Sequence, residues 1–218
     1  MDEARLRDEI CRVGASLYAR GYVHATAGNI SARLPDGFLI TPTDACLGAL
    51  DPAKLARVDA NGIQVAGDRA SKTLVLHRRI YGADAEAKCV IHTHSTHLVA
   101  ASLRGPWHEA ELLPPITPYF VMKVGHVPLI PYRRPGDLEV GDLVADTIAR
   151  YATRRTPIRA VMLDRLGPNV WHESPAAAMA VLEELEETAK LWVLGARNLI
   201  PLTEPQIEEL RGAFGARW

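Results

Sequence analysis

Two histidines separated by one residue are the strongest chemical feature of this sequence. His92 and His94 end an apolar segment that we predict to be a buried strand over 88–94. Side chains two residues apart on a strand point to the same face, so both imidazoles would project together. Such a pair is a natural half-site for zinc or another divalent ion. For an isolated pair, two polar side chains on a solvated strand are an equally good interpretation.

Polar residues upstream of this pair have the chemistry of an anion site. Asn29 follows a turn glycine, Thr43 lies in a second loop, and Ser71 with Lys72 is predicted to begin a helix. The free N–H groups and the dipole at a helix start attract phosphate. Each residue alone is equally well explained as a turn, a cap or a surface charge. Their occurrence together favours a phosphate site.

The elements that must position these residues alternate between helices and strands. Predicted helices cover 2–20, 71–82, 95–103, 138–152, 175–195 and 204–214, with Ser71, Ser95 and Ser174 as N-caps. Predicted strands cover 30–34, 38–40, a hairpin over 57–65, 88–94, an edge or irregular strand at 127–131, 160–163 and 169–171, the last after a turn at Gly167-Pro168. Prolines 114, 115 and 118 exclude a regular helix there. The pattern favours a three-layer α/β/α fold with a mainly antiparallel central sheet.

Composition narrows the class of protein. The 218 residues fit one domain, 1–218, and a hydrophobic fraction of 48% can bury a core. The net charge of −1 argues against nucleic acid and anionic membranes as partners, and we find no apolar run that would span a bilayer. Three scattered cysteines and a charged N-terminus that lacks a secretory pattern indicate a reducing cytoplasm.

The sequence resembles the class II aldolase and sugar-phosphate epimerase family, the fuculose-phosphate aldolase group, from about residue 5 to residue 210. The matching segments are 26–31, 40–43, 70–72, His77, 90–95 and 184–190. Within the family the resemblance is strongest to the 3-oxo-tetronate 4-phosphate decarboxylases, through 117–125 and 128–137.

This resemblance implies a carbon–carbon lyase that decarboxylates 3-oxo-tetronate 4-phosphate, a small sugar-acid phosphate. A divalent metal, expected to be zinc, would lie at His92 and His94 and stabilise the enediolate. Tyr119 falls near the family's proton-donating tyrosine, and family members are commonly homotetramers. The phosphate would be held by Asn29, Thr43, Ser71 and Lys72.

Two positions depart from the family pattern. Thr73 stands where the family has an acidic residue that serves as base, and a hydroxyl cannot take a proton from carbon at neutral pH. Leu166 stands where the family has its third metal histidine, although a catalytic zinc normally has three protein ligands. Other residues could take that place: His97, His126, His172 or Asp164.

Three hypotheses remain after these departures, and the decarboxylase described above is the first. If the metal is weak or absent, Arg165 could stabilise negative charge instead. Decarboxylation of a β-keto acid needs an electron sink and a proton donor but no base at carbon. The replacement of the family's acidic residue by Thr73 should therefore impair decarboxylation less than aldol cleavage. An aldolase or 4-epimerase acting on a sugar phosphate is therefore the second hypothesis. A metal-poor, non-catalytic member of the fold is the third.

Overall fold

Eight strands form one sheet through the middle of the molecule. The computed structural model describes residues 2–195 and 199–218. The strands are β1 Asn29–Leu34, β2 Gly37–Ile40, β3 Ala56–Asp59, β4 Gln64–Ala66, β5 Cys89–His92, β6 Leu129–Ile130, β7 Ala160–Leu163 and β8 Gly167–His172. Their spatial order is β4-β3-β2-β1-β5-β8-β7-β6. Only the β6–β7 pairing is parallel among the described strands, so the predicted mainly antiparallel sheet is confirmed.

Helices cover both faces of this sheet. They are α1 Glu3–Ala19, α2 Leu74–Ala83, α3 Thr96–Leu103, α4 Glu139–Thr153, α5 Pro175–Leu194 and α6 Glu204–Phe214. One core cluster joins α1, α3 and α5 to one face, and a second joins α2 and α4 to the other. The predicted three-layer α/β/α class is confirmed. None of the helices in the described ranges is both long and apolar enough to span a bilayer.

Alternation along β5 divides its side chains between the two cores. Cys89 and Ile91 belong to the cluster under α1, α3 and α5, while Val90 belongs to the cluster under α2 and α4. His92 shares the parity of Val90 and therefore faces the α2 side.

Two predicted boundaries in the strands that carry the site are wrong. β5 ends at His92 rather than at residue 94, so the two histidines do not share one regular strand. Gly167-Pro168 is not a turn but the start of β8, and the turn lies at 164–166. Its centre, Arg165, has a φ of 62°, and the N–H of Leu166 donates to the Leu163 carbonyl at 3.0 Å. Proline is tolerated in β8 because it stands near the strand's first residue. The predicted edge or irregular strand at 127–131 does lie at the sheet edge, where Leu129–Ile130 pairs with β7 and Pro128 bridges Glu111.

Two of the three predicted serine caps are also wrong. Ser71 does not cap α2, which begins at Leu74 with Thr73 in the N-cap position. Ser95 occupies the N-cap position of α3, but its side chain does not cap the helix. Only Ser174 caps as predicted, accepting a hydrogen bond from the N–H of Ala177 at 3.1 Å.

A buried carboxylate from α5 takes the place of the missing cap on α3. Glu186 accepts hydrogen bonds from the backbone N–H groups of His97 at 3.0 Å and Leu98 at 3.1 Å. A negative charge is stabilised there because the helix dipole is positive at its N-terminus. The segment that carries His94 into α3 is thus tied to α5.

Candidate active site

Three neighbouring strands place three polar side chains in a row. Asn29 on β1 pairs with His92 on β5, and His92 pairs with Asn169 on β8. Residues directly opposite each other on antiparallel strands share a face, with Cβ atoms about 5 Å apart. All three are buried on the side of the sheet that α2 covers.

The tautomer of His92 follows from its hydrogen bond. Its Nδ1 lies 2.9 Å from the carbonyl oxygen of Pro168, which can only accept, so Nδ1 carries the proton. Nε2 is then left with a free lone pair. Burial, followed by the neighbouring His94, lowers the pKa of His92 to about 4. The imidazole is therefore neutral at pH 7, as metal ligation requires.

His94 is half-buried just beyond the end of β5. Its ring centroid lies 5.1 Å from that of His92, with the ring planes at 71°. Two imidazoles on one tetrahedral zinc have centroids about 5 Å apart, given Zn–N bonds of about 2 Å. Burial lowers the pKa of His94, and His24 contributes further. The pair thus has the spacing and the charge state for one divalent ion.

Two glycines allow the backbone to close around this pair. Gly28 has a φ of +85°, and a Cβ there would lie 2.8 Å from the carbonyl oxygen of His92. Gly167 has a φ of +150°, and a Cβ there would lie 1.9 Å from the carbonyl oxygen of Thr93. Any side chain at either position would push the flanking strand away from β5.

The start of α2 brings three of the predicted residues together. The hydroxyl of Thr73 accepts hydrogen bonds from the Asn29 amide and from the Ser71 hydroxyl, each at 3.2 Å. Because Asn29 stands beside His92, this neutral polar cluster borders the histidine pair. Lys72 is exposed at the same helix start.

Thr43 lies on the neighbouring segment. Its N–H donates to the Arg69 carbonyl at 2.8 Å, and the N–H of Ser71 donates to the Thr41 carbonyl at 3.3 Å. The loop that carries Thr43 also lines an open cavity of about 390 Å³. The structure therefore places Thr43 one paired segment away from Ser71.

Two predicted catalytic residues lie apart from this cluster. Tyr119 is 61% exposed at the start of a π-helical turn over Phe120–Val124. Arg165 is exposed in the turn before β8, with its Nε 3.6 Å from a carboxylate oxygen of Asp164. No hydrogen bond in the described ranges joins either side chain to Asn29, Thr73 or the histidines.

The candidate third ligands do not complete the histidine pair. His97 directs Nδ1 to Glu186 at 2.9 Å, and His126 stacks on Trp218 with centroids 4.5 Å apart. His172 uses Nδ1 to accept the N–H of Glu173 at 2.8 Å. Within residues 2–195 and 199–218, no three His, Cys, Asp or Glu side chains form a metal-binding group. Leu166 packs against the apolar cluster under α2 and α4.

The sequence analysis gave no role in the site to three polar residues near the pair, although His77 is one of the residues that carry the family resemblance. His77 is fully buried, with Nδ1 2.7 Å from the Ser31 hydroxyl, and burial followed by His92 lowers its pKa to about 3. Asn169 was predicted only as a strand residue, although an asparagine in a buried strand is itself a signal. His24 has its ring 6.4 Å from that of His94, in an exposed turn.

Several buried polar atoms in this layer have no hydrogen-bond partner. They are Oδ1 of Asn29, Nε2 of His77 and both amide atoms of Asn169. An unsatisfied buried polar group costs about 1–3 kcal/mol, so their grouping around His92 indicates a place for a polar occupant. Two neutral imidazoles with nearby amide and hydroxyl oxygens fit a divalent metal, though not one held by three histidines.

Comparison with known proteins agrees with this fold. The family described as Class II Aldolase and Adducin N-terminal domain matches residues 8–193. The chain belongs to this family, whose members typically depend on a divalent metal.

Individual relatives cover almost the whole chain. A 3-oxo-tetronate 4-phosphate decarboxylase of Cupriavidus necator is 57% identical, over 99% of this chain and 99% of its own length. The crystal structure of YgbL from Klebsiella pneumoniae is 42% identical with a TM-score of 0.85, over 97% of this chain and 100% of that one. An L-fuculose-1-phosphate aldolase from Thermus thermophilus is 28% identical with a TM-score of 0.70, over 87% and 93%.

Proposed function

We propose that this protein is a lyase that decarboxylates 3-oxo-tetronate 4-phosphate. The observation that carries the proposal is the 57% identity, over 99% of both chains, to a decarboxylase of that substrate. The neutral hydroxyl of Thr73 beside the histidine pair supports decarboxylation over aldol cleavage, because loss of CO₂ needs no base at carbon.

The phosphate would bind where α2 begins. Ser71 and Asn29 present a hydroxyl and an amide linked through Thr73, and Lys72 adds a positive charge. Thr43 would contribute from the adjoining loop. The helix N–H groups at this end favour an anion. Together these contacts would fix the C4 end of the substrate and direct its C3 carbonyl toward the histidine pair.

The reaction breaks the C1–C2 bond. Its electron pair passes through C2 to the C3 carbonyl oxygen, CO₂ leaves, and a proton added at C2 gives dihydroxyacetone phosphate. A divalent metal held by His92 and His94 would supply the electrophile for the C3 oxygen. We propose zinc as this metal, and elemental analysis of the purified protein would identify the bound ion.

The chain's own residues would prepare this step. His92 keeps its Nε2 lone pair available because Nδ1 donates to the Pro168 carbonyl. Because this chain has Thr73 where the family has an acidic residue, no carboxylate at that position would repel the departing carboxylate of the substrate. We retain Tyr119 as proton donor and Arg165 as a charge-stabilising group as part of the proposal. Because both are exposed, they would act only if the substrate or a neighbouring subunit covers them.

A labelled substrate tests this function directly. Purified protein incubated with 1-¹³C-labelled 3-oxo-tetronate 4-phosphate should release labelled CO₂ and dihydroxyacetone phosphate, both visible by NMR. A His92→Ala variant should lose at least about a hundredfold in rate. A His108→Ala variant, altered at an exposed position, is the matched control. Absence of CO₂ from correctly folded protein would overturn the proposal, and cleavage of L-fuculose 1-phosphate instead would favour the aldolase alternative.

A further inference from the structure

We propose that the side-chain amide oxygen of Asn169 is the third protein ligand of the divalent metal at His92 and His94. This inference rests on the metal-dependent lyase proposed above. It assigns a role to a residue outside the predicted ligand set. It also accounts for the loss of a histidine at Leu166.

The register of the sheet is the first step. Asn169 lies directly opposite His92 in the β5–β8 pair, on the face covered by α2. The carbonyl of Pro168, the residue before it, accepts the Nδ1 proton of His92 at 2.9 Å. The same two-residue segment of β8 therefore orients the first ligand and places an amide beside it.

The second step is that the side-chain amide of Asn169 makes no hydrogen bond. Asn169 is fully buried, and neither its oxygen nor its nitrogen has a hydrogen-bond partner. Its oxygen can turn toward a metal without giving up an existing hydrogen bond. The cost of burying a free amide falls once its oxygen coordinates a cation.

Other nearby donors serve less well. Asn29 also has a buried, unpartnered Oδ1 opposite His92, but its amide nitrogen donates to Thr73 at the end of the site where we propose the phosphate binds. The hydroxyl of Thr73 already accepts two hydrogen bonds from Asn29 and Ser71. His24 is exposed, and its ring lies 6.4 Å from that of His94, farther than the 5.1 Å that separates His92 from His94. Leu166 has no donor atom and packs in the apolar cluster.

Ligand chemistry predicts a consequence for metal choice. Imidazole suits zinc, iron and nickel, whereas amide oxygen suits harder ions such as Mn²⁺ and Mg²⁺. A site with two imidazoles and one amide should therefore discriminate less strongly for Zn²⁺ over Mn²⁺ than a site with three imidazoles. Replacing Leu166 by histidine should restore the stronger preference.

Metal binding to the purified full chain tests the assignment. We would titrate metal-free protein with Zn²⁺, Mn²⁺ and Co²⁺, using calorimetry and the visible absorption of Co²⁺. Asn169→Val should weaken Zn²⁺ binding at least about tenfold and alter the Co²⁺ spectrum. The double variant Leu166→His/Asn169→Val should regain affinity. Thr147→Val, which changes a buried residue of α4 outside the site, and His24→Ala should bind as the unaltered chain does.

The Asn169→Asp variant distinguishes the loss of a metal ligand from the loss of folding. A carboxylate at a ligand position should bind Zn²⁺ at least as tightly as the amide, and Zn²⁺ should raise its melting temperature more than that of the unaltered chain. Unchanged metal binding in Asn169→Val would overturn the proposal, as would failure of the unaltered chain to bind any divalent metal. A chain that binds metal through Asn169 but releases no CO₂ would sink the proposed function and leave this assignment standing.

Discussion

Thr73 is the residue on which the choice between decarboxylation and aldol chemistry depends. Its hydroxyl joins Asn29 to Ser71, so its role would be to hold in place two groups that we propose contact the substrate. A hydroxyl in that position cannot serve as a base toward carbon. Its contribution would then appear in substrate binding rather than in the bond-breaking step.

Removing this hydroxyl gives the first prediction. Thr73→Val should raise KM for the phosphorylated substrate by about tenfold and change kcat little, because contacts to the non-reacting phosphate act equally on ground and transition states. Thr73→Ser keeps the hydroxyl and should behave like the unaltered chain. Steady-state kinetics measure both, and a fall in kcat with KM unchanged would contradict the assignment.

His77 links protonation to stability. Its pKa is lowered from 6.5 to about 3 in the folded chain, first by burial and then by His92. Below pH 6.5 the unfolded chain binds a proton that the folded chain does not. Stability from this residue is therefore complete above pH 6.5 and falls as the pH decreases toward 3.

Replacing this histidine should flatten the pH dependence. In metal-free protein, the free energy of unfolding by urea should depend less on pH between 6.5 and 4 for His77→Leu than for the unaltered chain. His108→Asn, at an exposed position, should leave the slope unchanged. Equal slopes for His77→Leu and the unaltered chain would show that His77 does not couple folding to protonation.

Among the elements, β5 and β8 determine the site more than any helix does. Their antiparallel register sets His92 beside Asn169, and the close approach of Gly167 to the Thr93 carbonyl fixes the path of the chain toward His94. The helix α2 then covers this row and supplies Thr73 and His77 from successive turns.

A pair of glycine substitutions tests the close approach. Gly167→Ala should lower the free energy of unfolding by several kcal/mol, because its Cβ would lie 1.9 Å from a backbone oxygen and the strands must separate. It should also weaken metal binding. Gly212→Ala on α6 meets open space and should raise stability by about 0.5–1 kcal/mol. Denaturation by urea measures both, and similar effects would contradict the packing argument.

At the scale of the whole molecule, the property to be predicted is the number of chains in the assembly. We propose a homotetramer in a reducing cytoplasm, with residues 1–218 as one domain, from the family resemblance and the three free thiols. Large apolar side chains that include Leu103, Trp107 and Leu194 are 41–71% exposed, which is consistent with burial by further copies.

Light scattering measures this assembly. The purified protein should have a mass of four times the 23.9 kDa chain, and substitution of Leu194 by glutamate should lower it if that surface is an interface. Arg12→Glu is a control at an exposed polar position of α1. A mass of one chain at micromolar concentration would contradict the tetramer.

The sequence alone determined the fold class, most helices and strands, and the pairing of His92 with His94, because these follow from local periodicity and from motifs a few residues long. It could also show what was missing at Thr73 and Leu166. Only the tertiary structure decided that Asn29, His92 and Asn169 form one row, since cross-strand register joins residues 63 and 77 positions apart in the chain. The tertiary structure also showed that Glu186, not Ser95, caps α3 and that the turn before β8 lies at 164–166. Sequence could not show either feature, because helix caps and strand starts depend on which distant groups reach them.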